Sequence, residues 1–86
     1  MALIRIAPAP ARVGWDRRHT RPVSVQLADR RLTVTAVEAM RDETAAYPAG
    51  RGPRVTYLLA TDAGHASLVF DHRQRRWYVE ALDTAA

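Results

Sequence analysis

From Val23 onward the chain alternates. Val23, Val25 and Leu27 are separated by Ser24 and Gln26, the period-two pattern of a strand with one buried face. Ala28-Asp29-Arg30-Arg31 is a short polar connection, and Leu32, Val34 and Ala36 then alternate with Thr33 and Thr35. Two β-branched runs joined so closely predict a hairpin. The apolar positions change parity at Val37 and Ala39, which predicts a bulge or a strand covered on both faces. Residues 37–42 are also compatible with one helical turn. A second alternating block follows, with Val55, Tyr57 and Leu59, then Ala66, Leu68 and Phe70, then Trp77, Val79 and Ala81. Its first connection, Thr61-Asp62-Ala63-Gly64, ends in a glycine suited to positive φ, and its second is the polar run Asp71–Arg76.

The stretches between these blocks lack a period. Residues 41–54 hold two prolines and two glycines, which predicts a long loop in which Tyr47 is either an anchor packed on the core, the favoured reading, or a presented aromatic. Residues 1–22 are punctuated by Pro8, Pro10, Gly14 and Pro22 and read as an irregular arm, with room for a short edge strand over residues 2–6. The expectation is therefore an all-β domain over residues 23–83, an arm before it and a frayed tail at 84–86. Its sheet is expected to be antiparallel and strongly curved, with five to six strands in a hairpin and a three-stranded meander, or to close as a small SH3-like barrel. Curling hides strand edges and encloses one core.

Composition narrows the chemistry. A chain of 86 residues supports one domain with one modest core. The absence of cysteine removes disulfides and thiolate metal ligands, and fits a reducing compartment. No apolar run approaches the roughly 20 residues of a membrane span, and Arg5 interrupts the short apolar start, so the expected setting is cytoplasmic, with no membrane partner. All 13 basic side chains are arginines. Residues 1–35 carry seven of them against two acids, a balance of +5, whereas residues 36–86 carry six against seven, a balance of −1. Guanidinium groups suit bidentate contacts with phosphate or carboxylate, so the distribution points to an anionic partner or a docking surface.

Catalytic and metal chemistry find little support. His65 and His72 lie at opposite ends of one expected strand, roughly 20 Å apart at the strand rise, and His19 lies in the arm, so no metal site is expected. There is no nucleophile elbow and no phosphate-cradling glycine loop, and no cofactor is implied. An enzyme would need Asp71, His72, Glu80 and His65 to converge in one cleft. The strongest constellation is His72-Arg73-Gln74-Arg75-Arg76-Trp77-Tyr78, where arginines at a turn adjoin aromatic rings. Arg17, Arg18 and Arg21 of the arm and Arg30 and Arg31 of the first hairpin extend the set of contact residues, with Tyr47 and Arg51 as loop contacts.

The frame Arg21-Pro22-Val23, Arg31-Leu32-x-Val34-x-Ala36-Val37, Arg54-x-x-Tyr57 and Arg76-Trp77-Tyr78-Val79 resembles a family of small bacterial β-domains associated with Y-family translesion DNA polymerases. The resemblance covers about residues 20–83. The family carries tryptophans around the end of the second strand and the next loop, where this chain has Met40, Arg41 and Tyr47. The resemblance implies an accessory context in DNA repair, with a repair polymerase as a protein partner and no established activity. Two functions follow from the sequence: a non-catalytic domain contacting nucleic acid through its arginine-rich turns, or a protein-interaction module docking through a strand edge or the 41–54 loop. A homodimer made by edge pairing is a variant of the second.

Overall fold

The computed structural model describes residues 3–83. Six strands follow one another: β1 (Leu3–Asp16), β2 (Arg21–Gln26), β3 (Arg31–Glu43), β4 (Arg54–Thr61), β5 (Gly64–Asp71) and β6 (Arg76–Asp83). Each runs antiparallel to the next, and β1 returns to pair with β6, so the sheet closes into a barrel. The all-β, strongly curved antiparallel architecture expected from the alternation is what the chain adopts. Among the described residues no helix is long and apolar enough to cross a membrane.

The stretch before Val23 departs from expectation. It is not an irregular arm with a short edge strand but the longest strand of the barrel. The first part of β1 pairs with β6, from Leu3↔Asp83 to Ala11↔Trp77, and its last part pairs with β2, from Arg12↔Gln26 to Asp16↔Arg21. Two features hide this strand in the sequence. The β1–β6 register shifts between Arg5 and Ala9, around Pro8, whose missing N–H suits an interrupted ladder. Its inward positions, Ile6, Ala9, Ala11 and Val13, then change parity and are mostly small. Residue 2 of the expected edge strand and the tail at 84–86 lie outside the described residues.

β3 is likewise longer than its alternating part. The parity change at Val37 is accommodated by register shifts between Val34 and Ala36 and between Val37 and Ala39, and the strand continues to Glu43 without a helical turn. The loop expected over 41–54 therefore shortens to 44–53. Tyr47 does not anchor it, since that side chain is 46% exposed.

The core is built from the inward-facing positions. Val25, Leu27, Leu32, Val34, Leu59, Ala66, Leu68 and Val79 form one buried cluster. Up-and-down connectivity places the β1–β2 turn (17–20), the β3–β4 loop (44–53) and the β5–β6 turn (72–75) at one end of the barrel. The β2–β3 connection (27–30) and the β4–β5 turn (62–63) lie at the other. At that second end Asp62 ties the β4–β5 turn to β3: its carboxylate accepts from the Thr33 backbone N–H at 3.0 Å and its own N–H donates to the Thr33 carbonyl at 3.0 Å.

Candidate functional site

The first end is open and aromatic. Tyr57 on β4, Phe70 on β5 and Trp77 on β6 share the inward parity of the core but lie toward the strand ends at this mouth, with Val55 beyond Tyr57 on β4. Trp15 reaches them from β1. The β1–β2 register slips just before it, from Gly14↔Ser24 to Trp15↔Pro22, leaving Val23 as the extra residue. Bulges of this kind re-aim neighbouring side chains. Gly14 lets the Ser24 hydroxyl lie against β1, since a Cβ there would force that hydroxyl into another rotamer. The Trp15 ring stands 6.2 Å from Tyr57, nearly edge-on at 74°, and 6.1 Å from Trp77. Tyr57 and Trp77 are 5.9 Å apart, Phe70 and Trp77 4.9 Å, and His72 meets Phe70 edge-on at 4.8 Å. Together with Val55 they line an apolar pocket of ≈ 240 Å³. Trp15 forms its outer lip and is 38% exposed.

Two turns of one design border this mouth. Asp16-Arg17-Arg18-His19-Thr20-Arg21 and Asp71-His72-Arg73-Gln74-Arg75-Arg76 each begin with an aspartate and end with an arginine paired to it across the hairpin. Asp16 Oδ1 accepts from the backbone N–H groups of Arg18 at 2.9 Å and His19 at 3.3 Å. Asp71 Oδ1 accepts from those of Arg73 at 2.9 Å and Gln74 at 3.0 Å. In both, the fourth turn residue is left-handed, Thr20 at φ 55° and Arg75 at φ 56°. The first turn is tightened by His19, whose Nδ1 lies 2.8 Å from Asp16 Oδ2, and this imidazole, with the turn N–H groups, holds the Asp16 carboxyl below its ordinary 3.8. The second is tightened by Tyr78, whose hydroxyl donates to Gln74 Oε1 at 2.5 Å. Aspartate capping of a turn in this way fixes the backbone that carries the arginines.

The arginines expected to make contacts thus divide into two groups. Arg17, Arg18, Arg21, Arg73, Arg75 and Arg76 belong to the turns bordering the aromatic mouth, and Arg51 and Tyr47 lie in the β3–β4 loop at the same end. Arg30 and Arg31 do not extend this surface, because the β2–β3 connection that carries them is at the opposite end. Trp15, Tyr57 and Phe70 are site residues that the sequence pattern did not single out. The spacing that finds the paired turns is an aspartate followed five residues later by an arginine, each beside an inward aromatic.

The four groups that a catalytic reading of the sequence would bring together are spread over three places. His72 is in the mouth, Asp71 and Glu80 line a pocket on the outer wall, and His65 lies at the far end beside Glu38, with 2.7 Å between His65 Nε2 and Glu38 Oε1. Among the described residues no three histidines or carboxylates are arranged to hold a metal ion. Within the mouth, burial pushes the Tyr57 hydroxyl above its ordinary 10.0, and the negative charge of Asp42 adds to the effect. Asp42 itself is held below 3.8, chiefly by the Thr44 hydroxyl, which donates to it at 2.7 Å. The mouth therefore offers the uncharged rings of Trp15, Tyr57, Phe70 and Trp77 to a ligand and the turns offer permanent positive charge. Comparison with protein-family models, with curated proteins and with solved structures finds no match to this chain.

Proposed function

We propose that this chain is a non-catalytic binding domain that takes single-stranded nucleic acid across its aromatic mouth. One base stacks on Trp15 and enters the pocket, while the flanking phosphates meet the arginines of the two turns. The observation that carries this reading is the convergence of four aromatic rings between two aspartate-capped turns that expose Arg17 and Arg18 on one side and Arg75 and Arg76 on the other. Base–aromatic stacking is worth about 1–3 kcal/mol per base, and it requires a base already free of its duplex partner. The pocket suits one planar heterocycle, not a base pair. The likeness of the Arg54-x-x-Tyr57 and Arg76-Trp77-Tyr78-Val79 frames to polymerase-associated domains supports DNA, met during repair, as the strand concerned.

The test is a titration of labelled single- and double-stranded oligonucleotides by fluorescence anisotropy at several salt concentrations. Single strands are expected to bind more tightly. With about four phosphates neutralised, affinity falls with a log–log slope of about −3, or about fiftyfold between roughly 50 and 200 mM salt. No binding at about 50 μM protein in low salt would remove the proposal.

One observation favours a second reading, docking of a protein strand. β3 pairs with β2 only over Arg31–Thr33, and residues 38–42 of β3 are all exposed, Met40 at 58%. An open strand edge is a template for strand addition. This reading requires a stoichiometric protein partner whose recovery survives nuclease treatment and is lost when Met40 is replaced by proline.

A further inference from the structure

The β5–β6 turn has two sides. Side chains alternate along β5, so Phe70 faces the mouth while Asp71 faces the outer wall of the barrel. On that wall, behind the turn, the β3–β4 loop roofs a second pocket of ≈ 260 Å³, lined by Arg51, Gly52, Arg54, Asp71, Arg73 and Glu80 among others. The loop is fastened to the turn by the His72 N–H, which donates to the Pro53 carbonyl at 3.1 Å.

Three guanidiniums from three separate elements line this pocket: Arg51 from the loop, Arg54 from β4 and Arg73 from the turn. The two carboxylates beside them are already engaged. Glu80 Oε1 is 2.5 Å from Arg54 Nη2, in a pair only 15% and 21% exposed. Asp71 Oδ1 accepts the two turn N–H groups. Arg51 and Arg73 have no carboxylate partner among the described residues. Arg54 Nε is buried and donates to no protein acceptor, while its Nη2 is taken by Glu80. Gly52 lets Arg73 lie against the loop, since a Cβ there would come within 3.2–3.3 Å of the guanidinium.

We infer that this outer-wall pocket is a binding site for a phosphate monoester. A tetrahedral group with three terminal oxygens meets guanidiniums arriving from three sides, whereas a planar carboxylate offers two oxygens in one plane. The three guanidiniums outnumber the two carboxylates of the lining, Asp71 and Glu80, so the pocket carries one net positive charge and favours an anion. The inference rests on the reading of the mouth in one respect: the strand that stacks its base on Trp15 carries its end phosphate over the turn into this pocket. A free nucleoside monophosphate presents the same group.

The experiment follows backbone amide resonances of the full chain during titration with inorganic phosphate at constant ionic strength, with chloride as the reference. Phosphate is expected to shift residues 51–54 and 71–74 selectively, more strongly at pH 7.5 than at pH 5, because inorganic phosphate is mostly a dianion at the higher pH and a monoanion at the lower. Arg51→Ala, in an open loop, is expected to weaken this binding about tenfold, and Arg30→Ala at the far end to leave it unchanged. A second arm compares oligothymidylates bearing a phosphate at the 5′ end, at the 3′ end or at neither. One end-phosphorylated form is expected to bind about tenfold more tightly than the hydroxyl-ended strand, an advantage lost in Arg51→Ala. If phosphate shifts these amides no more than chloride does and end phosphates add nothing, the inference is overturned, whether or not the mouth binds strands. If phosphate shifts them but no oligonucleotide binds, the pocket stands as a site for a small phosphate ester and the reading of the mouth fails.

Discussion

Replacing Trp15 by leucine separates stacking from packing. A tryptophan carries about 250 Å² of surface, and this one is 38% exposed, so about 155 Å² is shielded in the fold. Leucine at the lip recovers much of that area, and at about 25 cal/mol per Å² the remaining loss is about 1–2 kcal/mol of stability. A domain of this size carries about 4–13 kcal/mol, so the variant stays folded. What leucine cannot supply is a π-face. With base stacking worth about 1–3 kcal/mol, of which leucine keeps some apolar contact, affinity for a single strand should fall about five- to thirtyfold. Trp15→Phe should recover most of it. The assay is anisotropy of a labelled oligothymidylate at low salt, with a urea midpoint for each variant to establish that it is folded. A folded Trp15→Leu protein that binds within about twofold of the original would refute the stacking argument.

The two left-handed turn residues predict a contrast. Thr20→Gly relieves an L-residue held at φ 55° and should raise stability by about 1 kcal/mol, seen as a higher melting temperature, without changing strand binding. Arg75→Gly relieves the same strain at φ 56° but removes a proposed phosphate contact, so it should melt higher and bind more weakly, with a salt slope shallower by about 0.7. Arg17→Ala with Arg18→Ala should flatten the salt slope by about 1.4, whereas Arg30→Ala with Arg31→Ala should not alter it, measured in the same titrations. Gly64→Ala should destabilise by more than about 1 kcal/mol in urea, because the residue sits at φ +100° with the Asp83 Cβ only 2.9 Å from the added methyl. Asp16 and Asp42 both have carboxyls held below 3.8 in the fold, so the stability they contribute is present above that value and lost as pH falls through their folded-state values. Urea midpoints should be flat from pH 7 to about 5 and fall below about 4, less steeply in Asp16→Asn.

Strict alternation made most of the barrel readable from the residues alone. β2, the start of β3, and β4 to β6 announce themselves through Val23/Val25/Leu27, Leu32/Val34, Tyr57/Leu59, Leu68/Phe70 and Trp77/Val79. β1 was not readable, because its inward positions are mostly alanines and its ladder is interrupted around Pro8. That omission also concealed the site. Read as an irregular arm, residues 7–22 leave Trp15 without a partner, and Tyr57, Phe70 and Trp77 read as three more core positions. Closure of the sheet brings Trp15 over them and turns an incomplete core layer into a mouth. The arginine turns were visible as charge, but which of them share an end depends on strand direction, and that separates Arg30 and Arg31 from the rest. Tyr47 shows the limit of reasoning from loop entropy: shortening of the loop by β3 removed the need for an anchor.

The chain contains two tryptophans, and both lie in the proposed base pocket. Their indole N–H resonances therefore report on the central claim without any substitution. Titration of the labelled full chain with a short oligothymidylate at low salt should shift both indole signals together with the backbone amides of 17–20 and 72–75, and reverse as salt is added. If binding saturates while both indole signals stay in place, the strand is held elsewhere on the barrel and the aromatic mouth is not its site.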